Sequence, residues 1–378
     1  MGSKKIFIMA GEASADLHGA NLVKSLLELS PDLEFYGVGG PKMRGAGVKT
    51  FYDIKELNTV GLVEVFGKAL SLYRIYRHIL KRLREGGVSL AIFIDFPGLN
   101  IRLGRKTKDM GIPPVYYIGP QVWAGRTPWR VRKIARSFAR ILVIFPFEVP
   151  YYQKKKGQVE FIGHPLLDVV RPSMSKEEAR EVFGLDPQNY TIGLFPGSRP
   201  SEIKLLLPPI LQTCQIILNT LPKTRFVLAL ADTLTSDQVE GPLSSANLPI
   251  KIIEGRPYDV MQVSDFLLLS SGTATLEAAL MEKPMIILYK LHFFSWLLSK
   301  IFLKAPYLGL VNDIAGQEIA AEFQQYRISP QKMARVAIET LQNPGIYSAK
   351  VETLKALRPQ LGIPGAARRA AQSILELL

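Results

Sequence analysis

Short apolar segments alternate with longer segments of helical pattern along most of this chain, and this alternation limits the fold more than any other feature. In the first half, the segments that read as strands are Lys5–Met9, Glu34–Val38, Leu90–Ile94, Val115–Ile118, Ile141–Ile144 and Glu160–Ile162. The segments that read as helices include His18–Leu29, Leu62–Arg84 and Asn100–Asp109. Such alternation is typical of βαβ units, which form a parallel sheet covered by helices.

The pattern starts a second time after a segment that we interpret as a hinge, Gly163–Pro172. Further strands are predicted at Thr191–Phe195, Arg225–Ala229, Ile250–Ile253, Phe266–Leu269 and Met285–Leu288. The chain has 378 residues, more than the roughly 250–300 at which a single hydrophobic core stops growing. We therefore predict an α/β protein with two Rossmann-like, doubly wound domains, residues 1–168 and 169–345, whose ligand bridges a central cleft between the carboxyl edges of the sheets.

A surplus of basic residues favours an acidic partner. Lys and Arg number 47 against 33 Asp and Glu, a formal net charge of +14, which suits nucleic acid, anionic lipid or a phosphorylated substrate. The sequence has no zinc-knuckle cysteines and no RNA-binding aromatic motif, which counts against nucleic acid. No apolar stretch approaches the ~18 residues that span a bilayer, and no secretory signal is recognisable. We expect a cytoplasmic protein that touches a membrane.

The single cysteine, Cys214, excludes an intramolecular disulfide and fits a reducing compartment. It lies in the apolar helical run Leu211–Leu218. We therefore predict a buried structural thiol rather than a nucleophile.

Carboxylates follow two of the predicted strands and are candidates for acid–base chemistry. Asp95 ends the apolar strand Leu90–Ile94, where an unpaired charge is costly and burial raises its pKa toward that of a useful general base. An Asp that only caps the following helix is the alternative. The segment Gly11–Asp16 follows the first strand and contributes Glu12 and Asp16, which are rival bases or groups that orient a sugar hydroxyl.

Two loops of small residues in the second half suit anions. The segment Leu268–Glu277 is a strand, a loop and a helix start, whose backbone N–H groups at the positive end of the helix bind phosphate. Ser271 and Thr273 would contact phosphate oxygens and Glu277 a ribose diol; a plain Ser/Thr-capped helix is the alternative.

The second such loop is Pro196–Arg199. Arg199 can clamp a diphosphate with two hydrogen bonds, and Glu202 would hold it in place. An exposed arginine without a ligand is the alternative here.

Other nucleotide and metal motifs are missing from the sequence. A phosphate-binding P-loop, the Gly-x-Gly-x-x-Gly of nicotinamide enzymes, an Asp-x-Asp metal pair and paired histidine ligands are all absent. We expect neither a cofactor nor a metal, so helix dipoles, backbone N–H groups and arginine would stabilise a leaving diphosphate.

Ten short blocks together resemble the lipid-A-disaccharide synthase family, bacterial glycosyltransferases of the GT-B fold. The blocks are Gly11–Asp16, Gly37–Pro41, Gly61–Val65, Ile94–Asn100, Pro120–Ala124, Pro146–Glu148, Phe161–Pro165, Pro196–Arg199, Ser271–Ala274 and Val311–Asn312. They span nearly the whole chain in the family's order. By the same resemblance, the C-terminal helices, residues 346–378, are expected to return to the first domain.

The resemblance implies an inverting transfer of 2,3-diacylglucosamine from UDP to the 6-hydroxyl of 2,3-diacylglucosamine 1-phosphate, in Gram-negative lipopolysaccharide biosynthesis. It implies that Asp95, Glu12 and Asp16 are catalytic, with Asp95 the favoured base. The substrate-binding residues that it implies are Ser14, Asn100, Ser198, Arg199, Glu202, Ser271, Gly272, Thr273, Glu277, Asn312 and Glu318. Partners would be the two acylated sugars and the anionic inner-membrane surface, without nucleic acid; a homodimer is left open.

The chain departs from the family pattern at three positions. Ala15 stands where the family has Gly, Gly125 where an aromatic residue is expected, and Gln317 where an arginine is expected. Each departure spares the proposed catalytic groups.

Three segments combine basic and bulky apolar residues in a way that suits a lipid surface. They are the amphipathic stretch Val65–Arg84, the segment His292–Lys304, and the basic stretch Arg126–Arg140 with Trp123 and Trp129. The alternative for the first is a core helix with a solvated basic face.

Two rival functions remain at this point. One is another UDP-sugar enzyme of the same fold with water-soluble substrates, such as a UDP-N-acetylglucosamine epimerase. The other is a non-catalytic basic protein that binds nucleotide and membrane, which leaves the carboxylates at the strand ends without a role.

Overall fold

The computed structural model describes residues 4–58, 65–120, 128–290 and 307–378. The chain divides into two compact units, Met1–Asp168 with Leu361–Leu378, and Val169–Gln360. Within the described residues, each unit contains a parallel sheet with helices packed on it. The two doubly wound sheets predicted from sequence are thereby confirmed.

The first sheet has its topological switch point between β1 and β4. Its strands are β1 (Lys4–Ala10), β2 (Leu33–Gly39), β3 (Lys49–Asp53), β4 (Val88–Ile94), β5 (Pro114–Tyr117), β6 (Arg140–Val143) and β7 (Val159–Phe161). Their order is β3-β2-β1-β4-β5-β6-β7. Because the chain winds outward in opposite directions from β1 and β4, a crevice forms beyond their carboxyl ends. Gly11–Asp16 and Asp95 come directly after these two strands.

The second sheet repeats this topology. Its strands are β8 (Thr191–Phe195), β9 (Arg225–Leu230), β10 (Ile250–Glu254), β11 (Phe266–Ser270), β12 (Met285–Tyr289) and β13 (Ala321–Gln324). The order β10-β9-β8-β11-β12-β13 places the switch point between β8 and β11. Strand β8 is followed by Pro196–Arg199, and strand β11 by Ser271–Glu277. Each pair of loops singled out from the sequence therefore lies at a ligand-binding position of its sheet.

Helices connect the strands. In the first unit they are Ala13–Leu29, Pro41–Gly45, Ile54–Asn58, Val65–Glu85, Pro97–Asp109, Pro128–Ser137, Val149–Gln153 and Ala366–Leu375, with Leu166–Val169 at the boundary. In the second they are Lys176–Val182, Pro200–Thr220, Asp237–Ala246, Pro257–Val263, Thr273–Leu280, Leu310–Ala315, Pro330–Gln342 and Pro344–Lys355. Short 3₁₀ turns are Pro146–Glu148, Gln325–Arg327 and Arg358–Leu361. None of the helices in the described ranges is both long and apolar enough to cross a membrane.

The central strands form the cores. Every residue of Ile6–Ala10 and of Leu90–Ile94 is 0% exposed, as expected for parallel strands covered on both faces. In the second unit, the core contains Cys214, and burial raises the pKa of its thiol. The prediction of a buried structural thiol is confirmed.

The sequence analysis did not predict the edge strands β3 and β13. The residues of β13 are all half-buried, and those of β3 are half-buried or exposed. Glu322 and Gln324 interrupt β13 with polar side chains. An edge strand buries too little surface to require the continuous apolar run on which the prediction relied.

The C-terminal segment Leu361–Leu378 belongs to the first unit. Its helix packs against helix Ala13–Leu29. The Asp168 carboxylate accepts hydrogen bonds from the backbone N–H groups of Gly365 and Ala366, at 2.5 and 3.0 Å. Residues 346–360, which we also expected to return, lie in the second unit, where helix Pro344–Lys355 packs against the helix before it.

Candidate functional site

Asp95 is held in a backbone conformation that non-glycine residues rarely adopt. Asp95 and Phe96 have φ angles of 45° and 47°, in the left-handed region. The Asp95 N–H donates to the carbonyl of Tyr117 at 3.1 Å. The Asp95 carbonyl accepts hydrogen bonds from Tyr116 Oη at 2.7 Å and from Asn100 Nδ2 at 2.6 Å. Three hydrogen bonds thus fix the peptide groups on either side of Asp95, as a strained functional residue requires.

The Asp95 carboxyl group is poised to exchange a proton near neutral pH. Burial, reinforced by the negative charge of Glu12, raises its pKa from 3.8 to about 6. At pH 7 the group is therefore mostly ionised, yet it remains a far stronger base than an exposed aspartate. The helix that we predicted from Asn100 begins at Pro97, and Asn100 is a buried residue that holds the Asp95 peptide.

Gly11 links the first strand to this turn. A Cβ atom at Gly11 would overlap the ring of Phe96, so only glycine allows the two segments to approach this closely. The blocks Gly11–Asp16 and Ile94–Asn100 are therefore two sides of one packed junction.

The other polar residues of this junction have different environments. The helix that we predicted from His18 begins at Ala13, with half-buried Glu12 as its N-cap and Ser14 exposed. Asp16 is 1% exposed. Its carboxylate accepts hydrogen bonds from the backbone N–H groups of Gly40, Lys42 and Met43, at 2.6, 3.0 and 3.1 Å. It therefore caps helix Pro41–Gly45 and joins the blocks Gly11–Asp16 and Gly37–Pro41.

The Ala15 departure is tolerated by this local structure. Ala15 is 1% exposed and lies in the first turn of helix Ala13–Leu29. It is not among the non-glycine residues with positive φ in the described ranges. A methyl group at this position therefore causes no backbone strain.

In the second unit, the loop after β8 presents Arg199 to solvent. Glu202 Oε2 accepts a hydrogen bond from the Ser198 N–H at 2.8 Å, and its Oε1 lies 4.0 Å from the Arg199 guanidinium. Gly197 has φ 131°. The Arg199 side chain is 69% exposed. Glu202 thus shapes the loop, while the arginine fork keeps donors for an anion.

The loop after β11 ends at the N-terminus of helix Thr273–Leu280. Gly272 precedes the helix, and Thr273, its first residue, is exposed. Ser271 Oγ donates to the carbonyl of Leu308 at 2.7 Å. The Ser271 hydroxyl is thereby engaged in holding a neighbouring segment. In the first turn, the Thr275 N–H donates to the Gly272 carbonyl at 3.2 Å, whereas the N–H groups of Thr273 and Ala274 precede the first carbonyls that a helix can offer.

Glu277 lies about one turn into this helix and is half-buried. Burial raises the pKa of its carboxyl group, and a hydrogen bond from Tyr258 Oη to Glu277 Oε1 at 3.3 Å counters that rise. A half-buried carboxylate with one neutral donor retains oxygens that can accept hydrogen bonds from a diol.

Asn312 organises the segment beside this loop. Its Nδ2 donates to the Ala320 carbonyl at 2.7 Å and to Glu322 Oε1 at 2.8 Å. Glu322 in turn accepts from the N–H groups of Leu308 and Gly309. Because Leu308 also accepts from Ser271, Asn312 and Glu322 support the phosphate loop from behind.

Glu318 and Gln317 are exposed in the turn between helix Leu310–Ala315 and β13. This turn differs from the Asn312–Glu322 network, which is mostly buried. The side chain of Gln317 offers an amide at the position where the resemblance led us to expect an arginine.

Two site residues were missed by the sequence analysis, Tyr116 and Tyr258. Tyr116 lies in the apolar strand β5, where an aromatic residue reads as core. Tyr258 lies near the start of helix Pro257–Val263. The hydroxyl groups gave no signal, because their partners are distant in sequence.

Several predicted segments lie outside the described residues. They are most of the block Gly61–Val65, most of Pro120–Ala124, Gly125, and the segment 292–304.

Solved structures share this fold at low sequence identity. The S. aureus MnaA–UDP structure has a TM-score of 0.68 at 13% identity, covering 99% of this chain and 98% of that one. N. meningitidis UDP-GlcNAc 2-epimerase bound to UDP-GlcNAc has a TM-score of 0.64 at 13% identity, with 100% of both chains covered. The calicheamicin glycosyltransferase CalG4 has a TM-score of 0.59 at 14% identity, covering 100% and 99%. The predicted GT-B type of fold is confirmed.

Relatives of much higher identity define the family. A family model described as lipid-A-disaccharide synthetase matches residues 6–373. The lipid-A-disaccharide synthase of Geobacter metallireducens is 41% identical over 377 residues, covering 100% of this chain and 98% of the relative. That of Syntrophus aciditrophicus is 39% identical over 379 residues, covering 100% and 99%. With matches along its full length, the chain belongs to the lipid-A-disaccharide synthase family of glycosyltransferases.

Proposed function

We propose that this chain transfers 2,3-diacylglucosamine from UDP to the 6-hydroxyl of 2,3-diacylglucosamine 1-phosphate, with inversion at the anomeric carbon. The observation that carries the proposal is Asp95, a half-buried carboxyl group at a switch point, whose pKa is raised to about 6. Family membership supplies the substrates, and the raised pKa supplies a base suited to activating a hydroxyl.

In the proposed reaction, the Asp95 carboxylate takes the proton of the acceptor 6-hydroxyl as its oxygen bonds to the anomeric carbon. The bond between that carbon and the UDP oxygen breaks on the opposite face, and UDP leaves with the electron pair. Burial raises the pKa of Asp95, and the negative charge of Glu12 adds to that rise. The oxygens of Asp16 accept three backbone hydrogen bonds at the start of helix Pro41–Gly45. We therefore assign Asp16 a structural role in the first unit rather than a role in proton transfer.

The second unit would bind UDP. Arg199 and the N–H groups at the start of helix Thr273–Leu280 would neutralise the diphosphate as the bond breaks. Glu277 would accept hydrogen bonds from the ribose diol. Asn312, Glu322 and Ser271 would hold the phosphate loop in place, while Glu318 lies exposed in a neighbouring turn. We propose that the reaction needs no metal.

The substrates carry acyl chains, so the enzyme would work at the cytoplasmic surface of the inner membrane as a peripheral protein. The net charge of +14 supports this proposal, because basic proteins are attracted to anionic bilayers.

The test is UDP release in detergent from UDP-2,3-diacylglucosamine, with and without 2,3-diacylglucosamine 1-phosphate. UDP-N-acetylglucosamine is assayed alongside. We expect release that requires both acylated sugars and that continues in the presence of EDTA. Turnover of the unacylated sugar alone would reassign the chain to a soluble UDP-sugar reaction, and a large loss with EDTA would contradict the metal-free scheme.

A further inference from the structure

A basic groove of about 400 Å³ lies between helices Pro97–Asp109 and Pro128–Ser137 of the first unit. The cationic side chains that line it are Arg105, Lys108, Arg132, Lys133 and Arg136. The carboxylate in its lining, Asp109, lies 3.9 Å from Nζ of Lys106 outside the groove. The groove therefore combines five cations with a single, shared counter-charge.

The groove cations do not form ion pairs with carboxylates of the described residues. In the part of the chain that the structure describes, Arg105, Arg132, Lys133 and Arg136 enter none of the ion pairs. Lys108 Nζ donates to the Arg136 carbonyl at 3.0 Å, which ties the two helices together without neutralising the charge. Like charges that line one groove repel one another, and an anion in the groove would relieve that repulsion.

Trp129 lines the same groove and is 67% exposed. An exposed tryptophan beside cations is typical of proteins that lie at a membrane interface, where the indole sits at headgroup level. The neighbouring helix Val65–Glu85 packs beside Pro97–Asp109. It continues the pattern with Tyr73, which is 55% exposed, and with exposed Arg74 and Arg77.

We propose that this groove binds the phosphate headgroup of an anionic phospholipid and so docks the first unit on a bilayer, with Trp129 at the interface. The choice of a bilayer over nucleic acid rests on the proposed function, since acylated sugars are drawn from a membrane. The groove itself recognises phosphate by charge and by guanidinium hydrogen bonds.

The test measures binding of the full chain to phosphatidylcholine vesicles with and without phosphatidylglycerol. Wild type should bind only the anionic vesicles. The variant Lys133→Gln/Arg136→Gln should bind roughly 25-fold more weakly, because each cation at an anionic surface contributes about a fivefold affinity factor. A matched control exists in the second unit, where Lys332 and Arg335 are exposed with the same spacing on helix Pro330–Gln342. Lys332→Gln/Arg335→Gln should retain near wild-type binding.

Trp129 provides a second readout that does not depend on removing charge. In a Trp123→Phe/Trp296→Phe background, Trp129 is the remaining tryptophan. Brominated acyl chains in the anionic vesicles should quench its fluorescence, and unquenched emission from bound protein would overturn the docking geometry.

Three results of the binding comparison would also overturn the inference. They are equal losses in the groove and control variants, equal binding of neutral and anionic vesicles, and tighter groove-dependent binding of a DNA duplex than of anionic vesicles. An assay of sugar transfer by the wild-type protein in detergent distinguishes failure of the proposed function from failure of this inference. Groove-dependent vesicle binding without transfer would refute the proposed function alone, and transfer without such binding would refute this inference alone.

Discussion

The two sheets have the same strand topology around their switch points, yet they differ in how far the polar side chains at these points are exposed to solvent. Asp95 follows the fully buried residues Leu90–Ile94, is itself half-buried, and has a raised pKa. Arg199 follows β8 with its side chain 69% exposed. An acid–base group needs burial to tune its pKa, whereas an anion-binding arginine is charged at any pH and needs reach.

The backbone conformation of the loops after β4 and β8 also differs. After β8, the unusual φ of 131° falls on Gly197, where it costs little. After β4, positive φ falls on Asp95 and Phe96, at a cost on the order of 1–3 kcal/mol for each such residue. The first edge keeps its catalytic candidate in one strained geometry, while the second leaves its arginine adaptable.

Replacing Asp95 tests this contrast with the largest expected effect. Asp95→Asn should lower kcat by roughly 10²–10⁴, the usual scale for loss of a general base. The same variant should be more stable at pH 7. Because the folded pKa of about 6 exceeds the ordinary 3.8, the folded state binds more protons between those values. Stability is therefore lost as pH rises through that window.

An uncharged isostere avoids that loss, so we expect Asp95→Asn to gain about 1–3 kcal/mol in free energy of unfolding at pH 7. Steady-state kinetics and chemical denaturation measure the two effects on one preparation. Near-normal turnover would transfer the base role to Glu12.

The variant Arg199→Ala tests the proposed anion-binding role of the exposed arginine in the second unit. Removing a charge-assisted clamp on a diphosphate should weaken UDP affinity by about 10- to 100-fold, with little effect on stability because the side chain is exposed. Isothermal titration with UDP measures the change. Arg335→Ala, on the surface of helix Pro330–Gln342, is the control and should bind UDP normally. Unchanged UDP affinity in Arg199→Ala would remove this residue from the site.

The pH dependence of kcat/KM should report the ionisation of the Asp95 carboxyl group. With a pKa of about 6, Asp95 is ionised tenfold less at pH 5 than at pH 7, so kcat/KM should fall by about tenfold between them. Since the charge of Glu12 raises this pKa, Glu12→Gln should move the acid limb to lower pH. An acid limb that stays in place in Glu12→Gln would exclude this electrostatic coupling.

The ends of the apolar strands could be predicted from sequence, and the support around them could not. Asp95 is recognisable because it interrupts a continuous apolar run. Its clamp by Tyr116 depends on the register of β4 with β5, which pairs Phe93 with Tyr116. The N–H groups that donate to Asp16 come from the start of helix Pro41–Gly45, whose N-cap Gly40 lies 24 residues later. Such contacts are set by tertiary packing, which local patterns do not encode.

Two neighbouring tyrosines of β5 test whether the Asp95 clamp matters. Tyr116 Oη donates to the Asp95 carbonyl at 2.7 Å, whereas Tyr117 Oη has no hydrogen-bond partner among the described residues. Tyr116→Phe should lower kcat by about 5- to 10-fold and stability by about 1 kcal/mol, the value of one buried hydrogen bond. Tyr117→Phe removes an equally buried hydroxyl and should leave kcat within about twofold. Equal effects in the two variants would make the clamp structural only.

The smallest effect is expected at the second edge, where Tyr258 Oη lies 3.3 Å from Glu277 Oε1. At this distance the hydrogen bond is weak, so Tyr258→Phe should reduce UDP affinity at pH 7 by only about two- to fivefold. The loss should grow as pH falls. Burial already raises the pKa of Glu277 and the tyrosine hydroxyl lowers it, so removing the hydroxyl raises it further and protonates a ribose acceptor at higher pH. UDP titrations across the acidic range distinguish this from a packing defect, which would weaken binding equally at every pH.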